Sequence, residues 1–295
     1  NVFEGCSSLK ELSVDKWKNL PTVKELFGTG ESKLEKIEIG ELYGIVSGFC
    51  RNLAKLKEFK VNEIVDPSVG DGAFGGCKSL VSFVLPKEVT AIGEKAFENT
   101  NISEFNGSAA TFVGKRAFAG NTALKKFTFN NAVLTISDGV FDGCTALETV
   151  ELAPTCKEIG WRSFAGCSAL KKIELADKVA SLGTECFAEC SSLEAVDFPE
   201  TVEKIGERAF RNCSSLKKII VPETVTRIES SAFSGCSALA EITVPFIGRY
   251  KDSNEQFSII FGQSGYALPS SLATVTVTGE GTVPDYAFSE CGKIK

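Results

Sequence analysis

From Leu170 to Leu175 the chain alternates, with Ile173 and Leu175 on one side and Lys172 and Glu174 on the other. Alternation with period two predicts a short, half-buried strand. The same segment recurs with its leading apolar residue at Leu9, Leu34, Leu56, Leu80, Ile102, Leu124, Leu147, Leu170, Leu193, Leu216, Leu239 and Leu272, and starts again at Ile294. Proline often ends it, at Pro86, Pro199, Pro222 and Pro245. Lacking an amide hydrogen, it stops the ladder and turns the chain. A second extended stretch follows, as in Val202-Glu203-Lys204-Ile205-Gly206, whose glycine suits a tight turn or a close approach of backbones.

An Ala-Phe pair completes the unit. Phe74, Phe97, Phe118, Phe141, Phe164, Phe187, Phe210 and Phe233 follow one another at intervals of 23, 21, 23, 23, 23, 23 and 23 residues. A fixed period of this length marks a chain built by stacking one small unit. Each phenylalanine is placed between two sheets, and burying it is worth about 2–3 kcal/mol. The expected fold is a β-rich repeat solenoid with a parallel sheet of about twelve short strands and a second, smaller sheet. Neighbouring repeats supply the stability that an isolated repeat lacks. Residues 1–295 then form a single domain: irregular repeats over 1–73, regular ones over 74–245, an insert at 246–271 and last repeats over 272–295. The chain opens and stops partway through a repeat, which reads as a fragment or a processed product.

The unit Ala-Phe-x-x-Cys-x-x-Leu-x-x-Ile-x-Leu-Pro resembles the BspA-like leucine-rich repeats, the Treponema-type class. The resemblance is clearest over residues 74–245 and looser at both ends. It implies a leucine-rich repeat right-handed superhelix. It also implies a non-enzymatic protein at the cell surface or outside the cell, with a role in adhesion and a host or cell-surface protein as partner. A structural spacer with no specific ligand is the alternative role.

Eleven cysteines would ordinarily point to disulfides or zinc, but the repeat accounts for them. Cys6, Cys77, Cys144, Cys167, Cys190, Cys213, Cys236 and Cys291 occupy one position, and Asn121 takes it in one repeat. A place that accepts Cys or Asn calls for a small side chain turned inward to bond a neighbouring backbone group. Cys156 replaces an inward Val, Cys186 replaces the Ala before Phe187, and Cys50 falls near a Phe position. Buried free thiols are the favoured reading. One or two disulfides, or zinc at Cys186 and Cys190, are the alternatives.

The net charge of −6 comes from interleaved acids and bases, with no basic stripe of the kind that holds nucleic acid. No apolar run approaches the roughly 18 residues that span a bilayer. With no histidine in the chain, Ser/His/Asp and Cys/His catalytic arrangements are excluded. The glycine-rich stretch at 70–76 leads into an Ala-Phe pair and lacks the Lys-Ser/Thr ending of a phosphate loop. Asp66 and Asp71 form an acidic pair on a loop with no partner at a diagnostic spacing. No cofactor and no metal is expected.

The period breaks twice. Residues 13–33 carry Trp17, Leu20-Pro21 and Leu26-Phe27-Gly28, and residues 246–271 carry Tyr250, Phe257, Phe261 and Tyr266. Inserts in a solenoid emerge on one face and are common binding elements. Their aromatics equally suit a plug for the core of a widened repeat, and this reading is favoured. Arg249, Tyr250, Lys251 and Tyr266 are the candidate contact residues there. The outward strand rows are the other candidate surface, represented by Lys172 and Glu174. Lys36 is expected opposite Glu58, and Glu38 opposite Lys60, an arrangement that mainly keeps the sheet soluble.

Overall fold

The computed structural model describes residues 3, 6, 8–18, 22–27, 32–85, 89–251, 253–262, 268–279, 283–289 and 291, without the side chains of Lys24 and Phe27. Leu20, Pro21, Gly28, Pro86, Tyr266 and the strand expected from Ile294 lie outside them. The chain divides into two compact units, Asn1–Asn130 with Val140–Thr145, and Asn131–Gly139 with Ala146–Lys295. Each is a stretch of parallel β-solenoid, and every leading position from Leu9 to Leu272 is followed by a strand.

In the first unit, Glu11–Trp17, Lys36–Ile45 and Glu58–Val69 pair in parallel in that order, and Ser82–Val84 adds to the last. The register sets Lys36 against Glu58 and Glu38 against Lys60, as the alternation requires. Two of these strands are longer than the period predicts, at 10 and 12 residues. They lack the Leu-Pro corner, so the ladder runs on until a bulge, where Gly44 faces Asp66 but Ile45 faces Val69. Pro67 sits in the bulge, where no ladder amide is needed. Beyond it, Ser68 and Val69 pair with Ala91–Ile92, which pair with Phe112–Val113 in a second, narrower ladder.

The irregular stretch at 13–33 forms the strand ending at Trp17 and a one-turn helix, Val23–Phe27. Thr22 and Glu25 cap that helix reciprocally: the Thr22 amide donates to Glu25 Oε2 (2.6 Å) and the Glu25 amide to Thr22 Oγ1 (3.3 Å). Val23 and Leu26 are buried, and Trp17 packs edge-on against Phe49 at 5.3 Å. The described part of this break is therefore core filling.

In the second unit, the wider ladder contains Lys172–Glu174 paired with Ala195–Asp197, and Lys218–Ile220 paired with Glu241–Val244, which pairs in turn with Thr274–Val277. The narrower ladder is five strands of two residues each, Thr135–Ile136 through Arg227–Ile228. The wider ladder is less continuous than the single sheet expected from the period. Ala195–Asp197 and Lys218–Ile220 fall in separate sheets, and the amide of Lys217 reaches the Glu194 carbonyl only at 3.4 Å. A hollow lined by Val196, Phe198, Ile220 and Pro222 opens at that place.

Between the ladders of each unit runs a column of phenylalanines, all fully buried. Ring centroids are 5.5, 5.3 and 5.9 Å apart along Phe74, Phe97, Phe118 and Phe141, and 5.2, 5.5 and 5.7 Å apart along Phe164, Phe187, Phe210 and Phe233. Strand spacing of about 4.8 Å dictates this stacking. In the first unit a second column interlocks with the first. Phe83, Phe105 and Phe127 stand at the strand position that Ile173, Val196 and Ile219 hold in the second unit. Phe83 lies edge-on to Phe74 (5.0 Å) and Phe97 (4.9 Å), and Phe105 to Phe118 (4.9 Å). Edge-to-face contacts of this kind add about 0.5–1.5 kcal/mol each beyond the area they bury.

The chain turns two sharp corners around each phenylalanine. Residues two before and two after it have positive φ, as at Glu185 (53°) and Glu189 (64°) around Phe187, and Arg208 (53°) and Asn212 (61°) around Phe210. For residues other than glycine this costs roughly 1–2 kcal/mol each. Backbone bonds to the next repeat offset it: the amides of Glu185, Phe187 and Glu189 donate to the carbonyls of Glu207, Ala209 and Arg211 at 2.8, 2.8 and 2.6 Å. Glycine after the narrow strand serves close approach, since a Cβ on Gly206 would stand 2.5 Å from the carbonyl carbon of Gly183.

The repeat cysteines donate to backbone carbonyls, as their interchange with Asn predicts. The Sγ atoms of Cys144, Cys190, Cys213 and Cys236 reach the carbonyls of Phe118, Phe164, Phe187 and Phe210 at 3.1, 3.1, 3.1 and 3.2 Å. Asn121 Nδ2 makes the same bond to Phe97 at 2.7 Å. All eleven cysteines are free and ten are buried. Cys6 differs in being exposed. Burial pushes the thiols of Cys77, Cys190 and Cys236 up to about 12.

Phe210→Ala is expected to lower the unfolding free energy by about 3–5 kcal/mol in urea titrations, and a loss under about 1 kcal/mol would contradict the column's role. Gly206→Ala should cost about 1–3 kcal/mol by the same measurement, through overpacking against Gly183. The thiols give a pH signature. Their folded pKa is raised from an ordinary 9.0 to about 12, so their contribution is complete below pH 9 and is lost as pH rises towards 12. Urea midpoints should fall across that window in the wild type and fall less in Cys190→Ala.

Candidate contact surfaces

The outward rows of the wider ladder carry compensating charge. Lys172 Nζ bonds Glu174 Oε1 at 3.2 Å and Asp197 Oδ2 at 3.5 Å, and Lys218 meets Glu241 at 2.9 Å. The hydrogen bond that Lys172 donates to Glu174 leads in raising the Lys172 pKa, with Asp197 adding to it. In the first unit Lys60 meets Glu38 at 2.9 Å and Lys36 meets Glu58 at 3.7 Å, and Lys60 holds the Glu38 carboxyl below its usual range. Such exposed pairs contribute little to stability. One position breaks the polar row: Ile220 is 55% exposed. It borders the hollow of 310 Å³ formed with Val196, Phe198 and Pro222, rimmed by Asp197, Glu200 and Lys218. Phe198, at the position of Leu175, lines the same hollow.

The insert after Pro245 is built from a plug and a rim. Phe257, Ile260 and Phe261 are buried, with Phe261 at 6.3 Å from Phe233 and Phe257 at 5.3 Å from Phe288. Its backbone takes over the ladder bonds of a repeat: the amides of Ile228, Ser231 and Phe233 donate to the carbonyls of Arg249, Ile259 and Ile260. An antiparallel bridge between Arg227 and Tyr250 ends the narrower ladder. Arg249 is committed internally, its Nε at 2.7 Å from Glu255 Oε1 and its amide at 3.0 Å from Glu255 Oε2. Burial opposes ionisation of Glu255, but the bonds from Arg249 outweigh it and hold the carboxyl below its usual range. Arg249 is thus a brace. Tyr250, 46% exposed, and the exposed Lys251 form the described rim.

Sequence reasoning missed Trp161. It follows Gly160, at the place where other repeats carry Glu94, Lys115, Asp138, Thr184 and Glu207. A lone indole in a polar column was the available signal. Trp161 is 47% exposed on the face of the narrower ladder, beside a groove of 430 Å³. Arg162 lies 5.8 Å from the ring centroid and is tied to Glu185 at 2.6 Å.

No catalytic constellation emerges from the acidic pair considered above. Asp66 accepts the Ser68 amide at 3.0 Å and Asp71 the Glu94 amide at 2.7 Å, which are backbone-capping roles. Among the described residues, no group of three or more His, Cys, Asp or Glu side chains is placed to hold a metal ion. Among them also, no helix is long and apolar enough to cross a membrane.

Several solved structures are similar to this chain. A leucine-rich repeat protein of Treponema pallidum is 26% identical, over 54% of this chain and 72% of its own, with a TM-score of 0.43. A leucine-rich cell surface protein from Faecalibacterium prausnitzii A2-165 is 18% identical, over 98% and 91%, with a TM-score of 0.49. The pneumococcal vaccine antigen PcpA is 21% identical, over 91% and 72%, also at 0.49. No curated protein sequence matches the chain. The family profile for the BspA type leucine-rich repeat region matches residues 44–171, 111–240 and 157–295. The Cys/Asn–carbonyl bonds and phenylalanine columns recur between Phe74 and Cys236 within that span, and the chain belongs to the BspA-type leucine-rich repeat family.

Proposed function

We propose that this chain is a non-enzymatic, surface-displayed repeat module that makes protein–protein or cell-adhesion contacts. The observation that carries the reading is the hollow at Ile220. An exposed apolar centre ringed by charged side chains has the anatomy of a protein interface. Lys172, Glu174 and Asp197 extend its polar rim, and their mutual pairing leaves them ready to exchange partners in water. Family membership supports the reading, because leucine-rich repeats of this type often serve surface protein interactions. Tyr250 and Lys251, with Tyr266 from the same insert, are proposed as a second contact patch, and Arg249 as the brace that fixes it. The alternative, a spacer with no ligand, draws on the same solvated rows and fully used core.

Adhesion of beads coated with the chain to epithelial monolayers separates the two. Ile220→Asp combined with Lys172→Ala should cut adhesion at least about tenfold while leaving the melting temperature within a few degrees, since surface changes are nearly neutral. Tyr250→Ala with Lys251→Ala should give a smaller loss. Unchanged adhesion in both variants favours the spacer.

A further inference from the structure

We infer that Asn106 is a self-modification site: its carboxamide closes on the Gly107 nitrogen, and water opens the resulting succinimide to aspartate and isoaspartate. Neither contact surface proposed above takes part. Asn106 is the one asparagine of the chain that glycine follows. With no Cβ on Gly107, nothing on that residue screens its nitrogen from the side chain before it. Asn106 stands in the corner after the strand Glu104–Phe105 and is exposed. Its Oδ1 accepts the Ser108 amide at 3.0 Å, an Asx turn that folds the carboxamide back over the intervening nitrogen. The same bond draws charge from Cγ and is aimed at the oxyanion that develops on Oδ1 when Cγ is attacked.

Among the described residues, none accepts a hydrogen bond from the Gly107 amide or from Asn106 Nδ2. Nucleophile and leaving group are both unencumbered there. Asn121 and Asn130 differ, with Nδ2 held by the carbonyls of Phe97 at 2.7 Å and Ser108 at 2.6 Å. In the first step the Gly107 nitrogen bonds to Cγ and its proton passes to water. The Cγ–Nδ2 bond breaks, and ammonia leaves. Water then cleaves the imide: opening at Cγ gives aspartate, and opening at the main-chain carbonyl of residue 106 gives isoaspartate. Nothing is oxidised or reduced. Both products add a negative charge, and isoaspartate also routes the main chain through Cβ. The corner has no room for a longer chain, because a Cβ on Gly107 would run into the Phe127 ring and stand 2.9 Å from the Thr128 carbonyl oxygen. Phe127 stacks on Phe105 at 6.1 Å, so isoaspartate disturbs the second phenylalanine column of the first unit.

The test incubates the full chain at neutral and mildly alkaline pH beside a free peptide of residues 104–109. Peptide mapping by mass spectrometry follows the gain of about one dalton. Asn106 should convert in the folded chain at a rate within about threefold of the peptide's, because the Asx turn already holds the reacting groups together. The rate should rise with pH, since the nitrogen attacks as its anion, while Asn121 and Asn130 stay intact. Isoaspartate-containing chain, separated by ion exchange, should unfold at lower urea than the unmodified chain. Asn106→Asp carries the charge without the longer main chain and should unfold close to the wild type. Protection of Asn106 in the folded chain by about tenfold or more relative to the peptide would overturn the proposal. Conversion of Asn121 or Asn130 at the same rate would also overturn it. So would an Asn106→Asp midpoint as low as that of the isoaspartate form, which would assign the effect to charge.

Discussion

Flat stacking of one phenylalanine per repeat is the constraint on which the rest depends. Ladder spacing of about 4.8 Å and ring spacing of 5.2–5.9 Å are close enough that hydrogen bonding and ring packing are satisfied together. Because each ring touches its neighbours above and below, removing one leaves a cavity shared by three repeats. The same geometry fixes what else a repeat contains. A small residue usually precedes the ring, glycine follows most of the narrow strands, and the chain turns left-handed on both sides of the phenylalanine.

Those turns explain why the repeat spends a cysteine on hydrogen bonding. The phenylalanine carbonyl lies inside the array, where an unmet acceptor is costly. The thiol of the following repeat, or the amide of Asn121, meets it. Cysteine chemistry is consequently suppressed: burial removes the thiolate, and the apparent abundance of reactive groups becomes a run of structural donors.

With the interior so constrained, variation is free only on the outer faces and in the inserts. There the protein departs from its own pattern in a few places: Ile220 in a charged row, Trp161 in a polar column, and Tyr250 at the end of the narrower ladder. Each departure exposes apolar surface that the repeat does not need for its stability. Selection for folding alone does not call for these residues, which is why Ile220 and Tyr250 mark the surfaces proposed for contact.

The sequence by itself determined the repeat unit, the positions of the wider-ladder strands, the buried phenylalanines, the inward cysteines and the pairing of Lys36 with Glu58 and Glu38 with Lys60. All of these follow from local alternation and from a period that places like residues on top of one another. Only the tertiary structure decided the rest. It fused the two extended segments of an early repeat into Glu58–Val69, because no corner proline stops the ladder there. It interlocked Phe83, Phe105 and Phe127 with the main column, a contact between positions that the period keeps apart in sequence. It also paired Arg249 with Glu255 and opened the grooves beside Ile220 and Trp161. Periodicity reports which residues share a column. How columns meet across the core, and where neighbouring strands part, depends on side-chain volume and backbone spacing that exist only once the repeats are stacked.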